Sequence, residues 1–320
     1  MNRRTFRADA LLFLTAGLWG FGFVAQSSGM DYVGPFTYNA LRFPLGSLSL
    51  LPLIAIMKSR GTINAPRKTA AVYFRMTAAA GAVLFIAVGL QQTGIMFTTV
   101  GNAGFITGFY VVLTPVFGIF LGKKTGIPTW IGMICAITGL YFIFAAGNFS
   151  SLNPGDLIIL ISAVFWAFHI LLIDHLVQRT DPLILSAGQF AWCGLFCLVS
   201  ALVLEPFIAP WTAVPESGSP PWTTLAELSP RILAGAAVPV LYGGIVSVGA
   251  AYTFQVVAQK DAPPAHATII LCLEGVFAAA GGILLRGEKP GPFTLLGFVC
   301  MLCAMVITQW DVTRPARRTT

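Results

Sequence analysis

Apolar residues run through this chain in stretches of about twenty, and short clusters of turn formers separate them. A run of that length crosses a bilayer core as a helix. The pattern predicts ten spans, at about 9–28, 35–57, 76–97, 101–122, 128–146, 156–177, 182–204, 232–257, 265–285 and 291–310. The breaks fall at Gly34-Pro35, Gly126 to Pro128, Asn153-Pro154-Gly155, Asp181-Pro182, Pro263-Pro264 and Lys289-Pro290, all of them turn or helix-start signals. The opening MNRRTFRADALLFLTAGLWG has the basic-then-apolar order of a signal peptide. No small-x-small cleavage site follows cleanly, so it is read as the first span.

The spans repeat. Asp9 and Asp156, Trp19 and Trp166, Phe21 and Phe168, Pro35 and Pro182, Ala40 and Ala187, and Phe43 and Phe190 are all 147 residues apart. Residues 9–53 align with 156–200 without a gap, with nine identities. Trp, Pro and Phe rarely match by chance, so the chain reads as a duplication. Five spans per repeat is an odd number, so the second repeat enters the membrane from the opposite side. The expected fold is an all-α polytopic membrane protein of ten transmembrane helices in two inverted five-helix repeats, at 1–150 and 151–320. Such folds place a transport site where the repeats meet.

Composition agrees: 56% of the 320 residues are hydrophobic and 10% charged, against about 25% charged in soluble domains. With the N-terminus inside, fifteen Lys and Arg fall on inner segments, and Arg231, Arg286 and Lys289 on outer ones. That bias puts both termini in the cytoplasm and accounts for the net charge of +7 without a nucleic-acid partner. The lipid bilayer and a small-molecule substrate are the expected partners, for a monomer or homodimer. The six cysteines lie in apolar runs, and the C-x-x-C of Cys300 and Cys303 reads as helix packing. No Cys/His cluster has metal-ligand spacing, and no nucleotide-binding loop appears, so neither metal nor cofactor is expected. The Glu205–Pro230 segment reads as an irregular outer loop with Trp211 and Trp222 at the interface. The Asn148-Phe149-Ser150 sequon is discounted for its closeness to the membrane.

Arg42 is the residue this composition makes expensive. A cation within a span costs at least ~2.5–3.5 kcal/mol and faces a cavity or a partner. Tyr38, Asn39 and Arg42 are spaced by one and three residues; Tyr38 and Asn39 lie four and three positions before Arg42 and so share its helix face. A guanidinium there can bind a carboxylate or phosphate bidentately; a static ion pair or a snorkelling chain is the alternative. Glu274 lies ten residues past Pro264, ~15 Å in, close to the depth of Arg42. Unpaired, it is a candidate proton carrier; paired with Arg42, it is a latch. His266 shares its face at a spacing of eight and joins Glu274 as a proton-coupling candidate. Gln91, Tyr110, His169, Tyr252 and Gln189, the repeat mate of Arg42, complete the candidate substrate-binding set, with packing hydrogen bonds as their other use.

The stretches ALLFLTAGLWGFGFVA (10–25), P-x-x-x-x-A-x-R-F from Pro35, YVVLTPVFG (110–118), GDLIILISAVFWAF (155–168) and LEGVFAAAGGILLRGE (273–288) resemble the EamA-type branch of the drug/metabolite transporter superfamily, over about 9–310. The resemblance implies ten helices in inverted repeats and export of small metabolites, such as amino acids, across a bacterial inner membrane. The chain departs from it where the fourth span ends in GKKTG without an acidic residue, and where Gly275 follows Glu274. The expectation is a secondary transporter and not an enzyme, with protons as a candidate coupling ion. An importer, or a carrier of nucleotide sugars or drug-like cations, is the alternative; a channel or an intramembrane enzyme on lipid or isoprenoid is the more distant one.

Overall fold

The computed structural model describes residues 3–61, 69–120, 122, 126–145, 153–207, 222–262 and 264–312. The side chains of 3, 5, 129, 144, 145, 264–266, 269, 305 and 308–312 fall outside the described residues, as do Asn148, Trp211, and the basic residues Arg67, Lys68, Lys123, Lys124, Arg314, Arg317 and Arg318. The described chain is helical: α1 (Arg3–Gly29), α2 (Pro35–Ser59), α3 (Ala70–Ile95), α4 (Val100–Thr107), α5 (Tyr110–Phe120), α6 (Ile127–Ala145), α7 (Pro154–Val177), α8 (Pro182–Val203), α9 (Pro230–Leu241), α10 (Thr253–Gln259), α11 (Pro264–Leu271), α12 (Glu274–Arg286) and α13 (Pro292–Val312). A π-helical stretch, Tyr242–Tyr252, joins α9 to α10 in one rod.

Local chemistry explains the helix starts. Pro35, Pro154, Pro182 and Pro230 occupy the first turn of their helices, where the missing N–H costs nothing. Asn153 and Asp181 cap their own helices through side-chain oxygens that accept from Gly155 N and Leu183 N.

Among the described residues, helix occupies most of each of the ten stretches the apolar pattern predicts. Among the described residues, seven helical stretches are long and apolar enough to cross a membrane: Phe6–Gly29, Pro35–Ser59, Ala70–Ile95, Val100–Phe120, Pro154–Val177, Pro182–Phe207 and Pro230–Gln259. Trp130–Ile143 and Pro292–Ala304 are apolar but shorter. The ninth stretch divides into α11 and α12, of 8 and 13 residues. The fourth divides too, into α4 and α5. At both breaks the hydrogen bonds tighten to the i→i−3 pattern: Phe109 N–H to Ile106 O and Val111 N–H to Gly108 O, and Leu273 N–H to Ile270 O and Gly275 N–H to Cys272 O. A 3₁₀ turn inside a helical rod commonly marks a hinge.

The repeats face one another with their interfaces duplicated. The rod α9–α10 packs on α1 and α2, as α3 packs on α7 and α8. The repeat mates α2 and α8 pack directly, with the Phe43 and Phe190 ring centroids 6.2 Å apart. Pro44 lies against Gly194, and Ser47 donates to the Ala187 carbonyl, so partners rise along one helix as they fall along the other: the mates run antiparallel. The same holds for α6 and α13, where Gly139 meets Met301 and Ile143 meets Gly297. Small residues allow this approach. At Gly20 on α1, a Cβ would come within 2.2 Å of Phe277 Cβ and 2.8 Å of the Glu274 carbonyl on α12.

At one end of the bundle, polar bonds tie the second repeat to the first. Gly34 supplies no side-chain cap to α2. Instead Glu205, fully buried past the end of α8, accepts from Phe36 N (2.8 Å), Thr37 N (2.9 Å) and the Thr37 hydroxyl. Glu288 does the same for α4, accepting from Val100 N (2.6 Å) and Gly101 N (3.1 Å). Arg286 pairs with Asp31 at 2.8 Å, and Val33 bridges to Thr223.

Replacing Glu205 by Ala strands two buried N–H groups and a hydroxyl, so Glu205→Ala is expected to cost about 2 kcal/mol and to lower the melting temperature of the purified protein. Glu205→Gln keeps a carbonyl oxygen for the two N–H groups and is expected to lose less than half as much. Equal losses in thermal unfolding would show that the carboxylate is not acting as a cap.

Candidate functional site

Arg42 occupies the middle of the interface between the repeats. It is 1% exposed, and its charge meets neutral oxygens: Nε donates to Asn39 Oδ1 at 2.8 Å and Nη2 to Gln26 Oε1 at 3.2 Å. The guanidinium carbon lies 5.2 Å from the Tyr38 ring centroid and 5.0 Å from that of Phe43, a cation–π setting on two sides. Gln26 is itself placed by Gln92, whose amide donates to the Gln26 carbonyl at 3.2 Å.

Arg42 opens onto a small cavity lined from both repeats. The first repeat contributes Trp19, Phe23, Gln26, Arg42, Gln91, Thr107 and Tyr110; the second contributes Trp166, Ile170, Ser247, Tyr252, Gln255 and Glu274. Its volume, about 20 Å³, suffices for one water. Small-molecule pockets run ~300–1,000 Å³, so a larger ligand enters only with movement of the lining helices or side chains.

The wall is aromatic. Tyr252 sits 4.5 Å from Trp19, 6.0 Å from Trp166, 6.2 Å from Phe43 and 5.7 Å from Phe190 by ring centroids. The repeat mates Trp19 and Trp166 meet at 6.5 Å. The Trp19 indole donates to the Ser247 carbonyl at 3.2 Å, inside the π-helical stretch. Such local departures from α-geometry occur frequently at functional sites.

Opposite the cation stands a carboxyl. Glu274 is 3% exposed and begins α12, directly after the 3₁₀ break. Its Oε1 is buried without a hydrogen bond among the described residues, as are the Tyr110 hydroxyl and Gln255 Oε1. Among the described residues no ion pair joins Glu274 to Arg42, although both line the cavity. The latch is therefore not made here.

The other expected residues divide cleanly. Gln91, Tyr110 and Tyr252 line the cavity, with Gln91 Nε2 donating to Thr107 Oγ1 at 3.0 Å. Tyr38, Asn39, His169 and Gln189 do not line it. Tyr38 donates to the Pro239 carbonyl at 3.0 Å, which ties α2 to α9. Asn39 orients Arg42, with its own amide 3.4 Å from the Val88 carbonyl. His169 Nε2 and Gln189 Oε1 hydrogen-bond to each other at 2.9 Å, so the repeat mate of Arg42 satisfies a histidine instead of facing the cavity. The side chain of His266 lies outside the described residues.

Sequence reasoning missed Gln26, Thr107, Ser247 and Gln255. Gln26 was readable, because Trp19, Phe23 and Gln26 are four and three apart and so share one face of α1. Gln255 also had a signal in Gln259, four residues on, to which its amide donates at 3.0 Å. Ser247 had none, since the π-helical register rotates it off the face an α-helix predicts.

A family model described as EamA-like transporter family matches residues 6–145 and 153–310. An uncharacterized transporter of Archaeoglobus fulgidus is 26% identical over 306 residues, covering 95% of this chain and 86% of that one. The uncharacterized inner membrane transporter YedA of Escherichia coli (strain K12) is 22% identical over 302 residues, covering 92% and 88%. A protein of known crystal structure shares the fold at a TM-score of 0.64 and 18% identity, over 95% of this chain and 96% of that one.

Proposed function

This chain belongs to the EamA-like transporter family, and from that premise we propose that it is a secondary carrier which exports small zwitterionic metabolites, such as amino acids, across a bacterial inner membrane. Ten spans form two inverted repeats, 1–150 and 151–320, with both termini in the cytoplasm and the central cavity exposed alternately to each side. The antiparallel packing of α2 on α8 and of α6 on α13 supports the inversion. The observation that carries the substrate class is the cavity itself: a guanidinium and a carboxyl line one small chamber without pairing. A zwitterion has one group for each. Its carboxylate takes the fork of Arg42, its ammonium takes Glu274, and the Trp19, Trp166 and Tyr252 rings receive its apolar part. Water expelled from so aromatic a space strengthens both charge contacts.

Glu274 has a second role in this reading. When no substrate amine is present, a carboxyl with a buried unpaired oxygen is held most cheaply as the neutral acid. Proton for substrate is then the exchange that drives export.

Two predictions follow from these roles. In liposomes loaded with a labelled amino acid panel, the wild type is expected to show saturable transport and counterflow, and Arg42→Met to raise KM about 10- to 100-fold, the loss of a charged hydrogen-bonded pair. The same variant is expected to keep or raise the melting temperature, since a buried cation without a counter-ion is costly to the fold. Saturable transport by Arg42→Met at the wild-type KM removes the carboxylate site. Separately, an imposed pH gradient is expected to drive transport by wild type but not by Glu274→Gln, which retains counterflow at a raised KM because the substrate ammonium has lost its carboxylate. A Glu274→Gln protein with the wild-type response to pH would end the proton role.

A further inference from the structure

A cavity far larger than the central one lies on the flank of the bundle. A groove of about 660 Å³ runs along the side of the bundle, between the end of α1, the face of α9 and the end of α12. Its floor is apolar: Phe21 and Val24 from α1, Val238 and Pro239 from α9, and Leu285 from α12. Val238 and Leu285 are 76% and 64% exposed, so the groove opens sideways and not into the central chamber. The wall between the two is α1, whose Trp19, Phe23 and Gln26 face the chamber while Phe21, Val24 and Ser28 face the groove.

Polarity along the groove is graded. From Phe21 to Gly29, the end of α1, the chain advances eight residues, ~12 Å of helix, most of the half-thickness of a ~30 Å hydrocarbon core. The deep half is apolar apart from Tyr242, whose hydroxyl donates to the Leu18 carbonyl at 2.9 Å. Ser28, Asp31 and Tyr32 stand at the mouth, beside Arg286, which pairs with Asp31 and is one-third exposed. Arg231 is exposed on α9, four and seven residues before Gly235 and Val238, and so caps the same helix face. Of the three basic residues assigned to the outer side of the membrane, two therefore border this one mouth.

A slot one leaflet deep, apolar below and cationic above, is the shape and charge of one molecule. We propose that this groove is a binding site for an anionic glycerophospholipid of the outer leaflet, its acyl chain along Phe21, Val24 and Val238 and its phosphate at Arg231 and Arg286. The site rests on the membrane orientation proposed above, but not on the identity of the transported substrate. Because Asp31 already holds one side of Arg286, the free cation for the phosphate is Arg231. The site spans α1 of one repeat and α9 and α12 of the other, so its occupant bridges the two.

The test uses the full-length protein in nanodiscs of phosphatidylglycerol and phosphatidylethanolamine, with retained lipid read by native mass spectrometry and transport read in liposomes. Wild type is expected to retain phosphatidylglycerol in preference to phosphatidylethanolamine. Arg231→Ala is expected to weaken that preference about five-fold, one basic residue's attraction at a membrane surface. Val238→Trp, a substitution at an open position that fills the groove, is expected to lose retention of both lipids while counterflow through the central site persists. Equal retention of the two lipids by wild type, or retention unchanged in Val238→Trp, overturns the site. So does a Val238→Trp protein that keeps its lipid and loses transport, since the groove would then be a substrate portal. Absence of transport by wild type would defeat the proposed function and leave the lipid result standing.

Discussion

A helix that begins inside or beside hydrocarbon has N–H groups that water cannot reach, and each needs an acceptor. In this protein the carboxylate acceptors for α2 and α4 come from the opposite repeat, beside the local Thr99 cap of α4. Glu205 sits over the start of α2 and Glu288 over the start of α4. Each carboxylate also meets the positive end of a helix dipole. These bonds do more than close an end. The helix that Glu205 anchors carries Arg42, and the one that Glu288 anchors leads through the break into Tyr110. The depth and rotation of both cavity groups are thus set from outside the cavity, by residues of the other repeat.

The same physics governs the chamber. A buried guanidinium without a counter-ion is tolerable only because two neutral oxygens and two aromatic faces surround it. Those partners hold the cation in place without neutralising it, so it remains available to an anion. Glu274 is left in the reverse condition, with an oxygen that no neighbour satisfies. Had the two paired, the chamber would contain a closed salt bridge and little to attract a ligand. The volume of about 20 Å³ then implies that ligand entry is coupled to movement, and the 3₁₀ breaks before Tyr110 and Glu274 are where a rod can flex with least loss of hydrogen bonding.

Much of this was legible in the chain. The offset of 147 residues put Trp, Pro and Phe in register, and two of those register pairs, Phe43 with Phe190 and Trp19 with Trp166, meet in the structure. The cost of a cation within a span marked Arg42, and the same reasoning marked Glu274. What spacing could not tell is which side of a polar strip is satisfied locally. Asn39 and Tyr38 share the face of Arg42, yet one orients the guanidinium and the other bonds to the Pro239 carbonyl. His169 and Gln189 absorb each other. A side chain with a nearby carbonyl or amide is spent on packing, and such partners come from helices distant in sequence. Nor does periodicity see the 3₁₀ breaks that divide the fourth and ninth stretches, because it reads a hydrophobic run straight through them.

Duplication gives this fold its frame, and departures from duplication make its two ends differ. Arg42 has Gln189 as its mate. Glu274, before Gly275, has Thr114, before Pro115, in the matching place of the first repeat, and the Thr114 hydroxyl bonds to its own helix at Tyr110 O. At the offset of 147, Glu205 has Lys58, which is exposed and cannot accept from an N–H. The start of α8, where a symmetric partner would act, is capped locally by Asp181. A perfectly symmetric pair of repeats would have two equivalent closed states, one for each end. Among the described residues the start of α8 is capped from within its own chain segment while α2 is capped from the other repeat, so the two ends are held by different bonds. The two charged residues that line the cavity, Arg42 and Glu274, likewise lack charged mates. The cation that lines the chamber thus comes from the first repeat and the carboxyl from the second.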